Sequence, residues 1–186
     1  MKIVAINGSP KGKNSVSAIM LAAFLSGAGT DSDIVDITLA EKNVQYCRGC
    51  YSCWTNSSGC ILEDDFKQII NLAANTDIII FASPVYFGNV TGLFKNFIDR
   101  LTSSGNPHSE VKIGAPKFIM ISNCGYNAES EFELVSFWIH QFVKKMNSTL
   151  LGEFYCPNGK QLRDSTSEKT QAYLKMLTEQ GSKLLI

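Results

Sequence analysis

The sequence predicts an α/β fold: one doubly wound, five-stranded parallel sheet in the order 2-1-3-4-5, with helices on both faces. Three observations predict it. Strand-like apolar runs alternate with helical periodicity along the whole chain, the rhythm that right-handed crossovers require. Asp77 to Ala82 (DIIIFA) is apolar on consecutive residues, as a parallel strand covered on both faces should be. The first strand runs directly through a Gly/Ser/Lys loop into an amphipathic helix. With 186 residues, 45% hydrophobic and 18% charged, the chain suits one well-buried domain and is too short for two comfortable ones.

Lys2 to Ile6 is the first strand, and a helix begins near Ser15, where Val16, Ile19, Met20, Ala23 and Phe24 recur at helical spacing. Asp33 to Thr38 (DIVDIT) is the second strand. Leu39 to Gln45 then leads into a cysteine-rich excursion from Cys47 to Cys60. Leu62, Phe66, Ile69, Ile70 and Ala73 share one face of a helix that opens on Glu63, Asp64 and Asp65, acids suited to its N-terminal dipole. The third strand, Asp77 to Ala82, ends in Ser83-Pro84-Val85-Tyr86-Phe87-Gly88, and Leu93, Phe94, Phe97, Ile98 and Leu101 give the next helix. Thr102 to Ala115 is the longest polar connection, broken by Gly105, Asn106 and Pro107. Pro116 to Ser122 is the fourth strand and Thr149 to Tyr155 the fifth. Between them Leu134, Val135, Trp138, Phe142, Val143 and Met146 build a long helix, and Leu174, Leu177, Gly181 and Leu184 mark a closing one.

In an open sheet of this order, ligands bind where the strand order reverses, between the loops after strands 1 and 3. The first of these loops feeds a helix N-terminus. Unpaired N–H groups and the positive end of the helix dipole gather there, and Ser9, Asn14, Ser15 and Ser17 can add side-chain donors around one oxyanion. An ordinary βα turn capped by Ser and Asn is the alternative reading of the same residues. The loop is not a Walker A loop, because only three residues separate Gly8 from Gly12, and GxGxxG is absent. A single terminal phosphate fits it better than a pyrophosphate.

Lys+Arg and Asp+Glu are both 17, so overall charge favours neither nucleic acid nor an anionic membrane as a partner. No apolar run reaches membrane-spanning length, and the chain starts on a core strand in place of a signal peptide, so a cytoplasmic location is expected. Six cysteines in that setting argue for metal, redox or burial before structural disulfides.

INGSPKGKNS after the first strand, SPVYFGNVTGLFKNFIDR after the third, and CxxCxxC followed by EDDF between them resemble the NADPH-dependent FMN reductase-like flavodoxin superfamily. Within it, the chain is most similar to the iron–sulfur flavoproteins. The likeness is strong over roughly the first hundred residues and topological beyond them. It implies a flavodoxin-like fold holding FMN non-covalently, with the phosphate in the loop carrying Ser9, Lys11, Asn14, Ser15, Val16 and Ser17. The ring would lie against Pro84, Val85, Tyr86, Phe87 and Gly88, where a tight loop and aromatic surface suit a flat ligand. Asn89 is a polar neighbour for the ring's edge, and the loop after strand 4, with Asn123 and Gly125, closes the pocket. No catalytic residue is expected, since the isoalloxazine carries the chemistry. Asp99 and Arg100 match the family's DR ending and are read as paired or solvent-facing. Cys124 and Cys156 are read as small buried residues, and His108 and His140 as surface or capping residues.

Cys47, Cys50, Cys53 and Cys60 are written CxxCxxCx6C, a spacing at which three thiols can converge on a cubane and a fourth can close it. The resemblance implies a [4Fe–4S] cluster passing electrons to FMN. Zinc, which usually takes two separated hooks, and a packed loop of uncoordinated thiols are the other readings. The expected function is an FMN-dependent, NAD(P)H-linked oxidoreductase reducing a small acceptor such as a flavin or quinone. A flavin electron carrier or redox sensor served by ferredoxin is the alternative. The resemblance also implies a homodimer or higher homo-oligomer, with Gly105 to Val111 and the Cys47 to Cys60 excursion at the interface.

Overall fold

The computed structural model describes residues 1–106, 108–110 and 113–185. Pro107, read as a breaker, and Val111, the end of the expected interface segment, lie outside the described residues. The chain folds as β1 (Lys2–Asn7), α1 (Val16–Leu25), β2 (Asp33–Thr38), a single turn α2 (Ser52–Thr55), α3 (Asp65–Ala73), β3 (Ile78–Pro84), α4 (Gly92–Arg100), β4 (Lys117–Asn123), α5 (Glu133–Lys145), β5 (Leu150–Cys156) and α6 (Glu168–Leu184). The strands form one sheet in the order β2-β1-β3-β4-β5, every neighbouring pair parallel, as the alternation of elements predicted.

Alternate side chains on each strand point to opposite faces, so a strand apolar throughout supplies two cores. Val4, Ile6, Ile79, Phe81, Phe118 and Met120 pack with the buried faces of α3, α4 and α5. Ile3, Ala5, Ile78, Ile80, Ile119 and Ile121 pack with α1 and α6. Each of these Val, Ile, Phe and Met side chains, fully buried, contributes about 1.5–3 kcal/mol. The helices α1 and α6 approach closely because Gly27 and Gly181 meet backbone. A Cβ on Gly181 would lie 2.0 Å from the Phe24 carbonyl oxygen, and one on Gly27 would lie 2.1 Å from that of Thr178.

The structure revises some boundaries and faces. The strands β1, β3, β4 and β5 run one or two residues beyond their apolar runs, because Asn7, Ser83, Pro84, Asn123 and Cys156 still keep ladder register with their neighbours. On α1 the buried stripe is Val16, Ser17, Met20, Leu21 and Phe24, with Ile19 and Ala23 at its margin. Ser17 is drawn inward by the Asn123 amide, which donates to its Oγ at 2.7 Å. On α5, Leu134 is 60% exposed, while Ile139, which the sequence reading passed over, is fully buried. The helix presents Val135, Ile139 and Val143 to the core, and Leu134 falls on its outer side. No helix among the described residues is long and apolar enough to cross a membrane.

Candidate functional site

The loop after β1 is built around Asn7, the strand's last residue, which is buried. Its Nδ2 donates to the Gly12 carbonyl at 3.1 Å and to Ser15 Oγ at 3.4 Å, while its Oδ1 accepts from the Ser9 N–H at 3.0 Å. One amide therefore fixes both ends of the loop. Ser15 caps α1, its Oγ accepting from the Ala18 N–H at 3.0 Å. Ser9 Oγ accepts from the Lys11 N–H at 3.4 Å and Ser17 Oγ from Asn123 Nδ2. All three hydroxyls are buried, and all three accept. Among the described residues none of them donates, so three hydroxyl protons remain for an acceptor brought in from outside.

The loop after β3 makes the facing wall. Tyr86 and Asn89 exchange two backbone hydrogen bonds, the Tyr86 N–H to the Asn89 carbonyl at 2.7 Å and the reverse at 3.1 Å. The two residues between them, Phe87 at φ 51° and Gly88 at φ 71°, give the mirror-image turn that a two-residue hairpin needs. Phe87 is held in the left-handed region with its ring fully exposed, an unusual setting for a bulky residue. The two walls are bonded together. The Gly8 N–H donates to the Ala82 carbonyl at 2.7 Å, and Thr91, which caps α4, donates from Oγ1 to the Gly8 carbonyl at 2.6 Å.

Ser9, Lys11, Ser15, Val16, Ser17, Pro84, Val85, Tyr86, Asn123 and Gly125 line a single cavity of about 150 Å³. Val85 and Gly125 also border a wider cavity of about 580 Å³, which Phe87, Gly88, Tyr126 and Leu134 help to line. The predicted residues thus gather along one crevice with a narrow, hydroxyl-lined end and a wide, aromatic one. Asn14 and Asn89 line neither part. The Asn14 carbonyl accepts from Arg163 Nη2 at 2.7 Å, and Asn89 turns its Oδ1 to the Val90 N–H at 2.8 Å. Sequence reasoning missed Lys160 and Arg163, which come from the turn after β5 to line the narrow end. Their signal was position alone, a loop at the carboxyl end of a strand in an open sheet.

The four cysteines of the excursion line one further cavity, of about 180 Å³, together with Trp54 and Arg100. All four are free thiols. Burial and the neighbouring Cys60, Cys47 and Cys50 push the Cys53 thiol up, whereas hydrogen bonding to Ser52 pulls the exposed Cys50 thiol down. Among the described residues, no three His, Cys, Asp or Glu side chains gather closely enough to hold a metal ion. The donor set is nonetheless the soft, all-thiol kind that suits iron–sulfur or zinc. Arg100 is paired, as read, but is entirely buried and not solvent-facing. Its guanidinium donates to Asp64 Oδ2 at 2.5 Å and to Cys60 Sγ at 3.4 Å, and its Nε has no partner among the described residues. Asp99 forms an exposed pair with Lys95, Cys124 and Cys156 are buried, and both histidines are exposed, as expected.

Residues 1–153 match the NADPH-dependent FMN reductase family. Over 149 residues the chain is 29% identical to an iron–sulfur flavoprotein of Archaeoglobus fulgidus, an overlap covering 78% of this chain and 71% of that protein. A second A. fulgidus protein of that name is 34% identical over 106 residues, covering 57% of this chain and 48% of its own length. The chain thus spans about seven-tenths of one relative and about half of the other. Among solved structures, an azoreductase from Bacillus anthracis superposes with a TM-score of 0.72 at 17% identity, covering 98% of this chain and 99% of that one, which is a likeness of fold. With residues 1–153 matched and the crevice walls formed at the ends of β1 and β3, the chain belongs to the NADPH-dependent FMN reductase family.

Proposed function

We propose that the protein is an FMN-dependent oxidoreductase that draws electrons from NAD(P)H and reduces a small acceptor such as a free flavin or a quinone. The observation that carries this reading is the set of three buried serine hydroxyls, Ser9, Ser15 and Ser17, that accept but do not donate at a helix N-terminus. A phosphate monoester supplies the acceptor oxygens they lack. The first-turn N–H groups of Val16 and Ser17, residues that line the cavity, add two more donors. Pro84, Val85 and Tyr86 offer the ring an apolar wall, Asn123 and Gly125 border its polar rim, and Phe87 and Gly88 belong to the wide end. When bound there, FMN supplies hydride and single-electron transfer. The protein's part is to grip the phosphate and leave one ring face open, so no acid or base is demanded of the crevice.

The finer part of the proposal is that Cys47, Cys50, Cys53 and Cys60 hold a [4Fe–4S] cluster that relays electrons to FMN. It is supported by four thiols on one cavity and the name of the relatives. The test is anaerobic purification with flavin, iron and acid-labile sulfide counted per chain, followed by the visible spectrum. Flavin absorption is expected, with iron and sulfide in the ratio of a [4Fe–4S] cluster. Failure to take up added FMN would end the oxidoreductase reading, whereas zinc or no metal beside bound flavin would end only the cluster.

A homodimer is the expected assembly. Tyr51 and Trp54 are exposed on the cysteine excursion, with Tyr46 and Ile61 exposed on either side of it, and Phe87, Tyr126 and Leu134 are exposed along the wide end of the crevice. Large apolar side chains grouped this way are what a second copy would cover. Sedimentation at micromolar concentration is expected to give the dimer mass, and a monomer there would remove this part.

A further inference from the structure

The turn after β5 is bound to the loops after β4 and β1. The Asn158 N–H donates to the Tyr126 carbonyl at 2.7 Å and the Gly159 N–H to the Cys124 carbonyl at 2.8 Å, which ties the turn to the loop after β4. A Cβ on Gly159 would lie 3.0 Å from Asn123 Cβ and 3.1 Å from Val16 Cγ1, so the glycine lets the turn sit directly on the narrow end. From the short 3-10 helix that follows (Gly159–Arg163), Arg163 reaches across and donates from Nη2 to the Asn14 carbonyl at 2.7 Å. That bond spans 149 residues and closes the third side of the narrow cavity.

The charges of that cavity are one-sided. Lys11, Lys160 and Arg163 line it, and no Asp or Glu does. Lys13, the other cation of the first loop, lies outside the lining and is paired with Glu41 at 3.2 Å. Among the described residues neither Lys160 nor Arg163 has a carboxylate within ion-pair distance, and the Lys160 ammonium makes no hydrogen bond. Their charge is therefore available to a ligand. A phosphate monoester near neutral pH carries between one and two negative charges, about −1.5 to −2. The hydroxyls of the β1 loop supply hydrogen bonds to such a group but no counter-charge.

We propose that Lys160 and Arg163, beside Lys11, supply the counter-charge by which this crevice recognises the phosphate of its mononucleotide, and so tells FMN from riboflavin. The proposal rests on the FMN reading above. Lys160 acts on the ligand as a point charge. Arg163 both faces the cavity and holds the Asn14 carbonyl, so that the β1 loop and the turn after β5 close together around one anion.

The test is fluorescence titration of flavin-free protein with FMN and with riboflavin, at low and at high salt. The wild type is expected to bind FMN at least about tenfold tighter than riboflavin, with a preference that shrinks as salt rises. Lys160→Gln and Arg163→Gln are each expected to weaken FMN about tenfold and leave riboflavin within about twofold. Arg163→Lys, which keeps the charge and loses the fork, should fall between. Lys13→Gln should match the wild type for both ligands. Should Arg163→Gln fail to fold, Lys160→Gln decides, since its side chain has no structural bond to lose. Equal loss of both flavins would mean that the turn acts only as scaffold, and unchanged FMN affinity would mean that these cations do not reach the phosphate; either result overturns the proposal. A wild type that binds riboflavin as tightly as FMN also overturns it while leaving the flavin site intact. A wild type that binds neither flavin removes the FMN reading itself, and the proposal with it.

Discussion

Replacing Gly8 by alanine is expected to lower the melting temperature by about 6–12 °C and to weaken FMN binding at least about tenfold. A Cβ at this position would lie 2.5 Å from Phe94 Cβ, 2.6 Å from its Cδ2 and 2.7 Å from its Cγ. Neither partner has room to retreat. The Gly8 backbone is fixed on one side by the bond to Ala82 and on the other by the bond from Thr91. Phe94 is fully buried, its ring set edge-on against Phe81 at 5.1 Å and against Trp138 at 6.1 Å. Overpacking of this kind costs typically about 1–3 kcal/mol, and the pinned backbone places this case at the upper end. The displacement would open the seam between the two walls of the crevice, one residue from Ser9, which is why affinity and stability should fall together. Gly29→Ala is the control, because a Cβ there meets nothing within 4 Å. An unchanged melting temperature in Gly8→Ala would mean that the seam yields at little cost.

That seam also marks how far the sequence could be read. The strand order, the five strands and the helical faces followed from period and alternation, since a parallel sheet covered on both sides writes itself as apolar runs. Reading strand ends from apolar runs fell short where the site begins. Ser83, Pro84 and Asn123 are polar or imino residues that still pair across the sheet, and those strand ends carry the crevice. The serines of the first loop were legible because helix caps and phosphate loops use the same residue types. Lys160 and Arg163 were not, because their relation to Asn14 and the serines exists only after five strands have been wound. Arg100 was half legible. Its position on α4 gave a pairing, but nothing local could name Asp64, 36 residues away, as the partner or bury the pair. Leu134 was misjudged because helical spacing alone assigns an apolar residue to the core, whereas here it borders the wide end of the crevice.

Removing either member of the Asp64–Arg100 pair is expected to cost about 3–5 kcal/mol, lowering the melting temperature by about 6–20 °C. Both side chains are entirely buried, so truncating one strands the other's charge. Arg100 binds the Gln45 carbonyl at 3.1 Å and the Cys60 sulfur at 3.4 Å, and its guanidinium lies 4.2 Å from the Phe66 ring centroid. Asp64 in turn caps α3 through the Phe66 N–H at 3.1 Å and accepts from the Gln45 N–H at 2.8 Å. The pair thus joins the entrance of the cysteine segment, its exit and the end of α4. Burial alone would push the Asp64 carboxyl up, but hydrogen bonds from Arg100, Gln45 and Phe66 outweigh it and hold the group below its ordinary value. A depressed carboxylate stabilises the fold fully above its unfolded value of about 3.9, and that stability is lost as pH falls through the folded value. The gap between the wild type and Asp64→Asn should therefore stay constant above about pH 5 and narrow below about pH 4 in urea unfolding. A gap independent of pH down to the acid transition would mean that the carboxyl's charge does not matter. The double variant Asp64→Leu with Arg100→Met should be more stable than either single one, since an apolar pair leaves no buried charge uncompensated. It would also lack the donor to Cys60, so thiol titration of a double variant that folds well would separate the pair's part in the fold from its part at the cysteines.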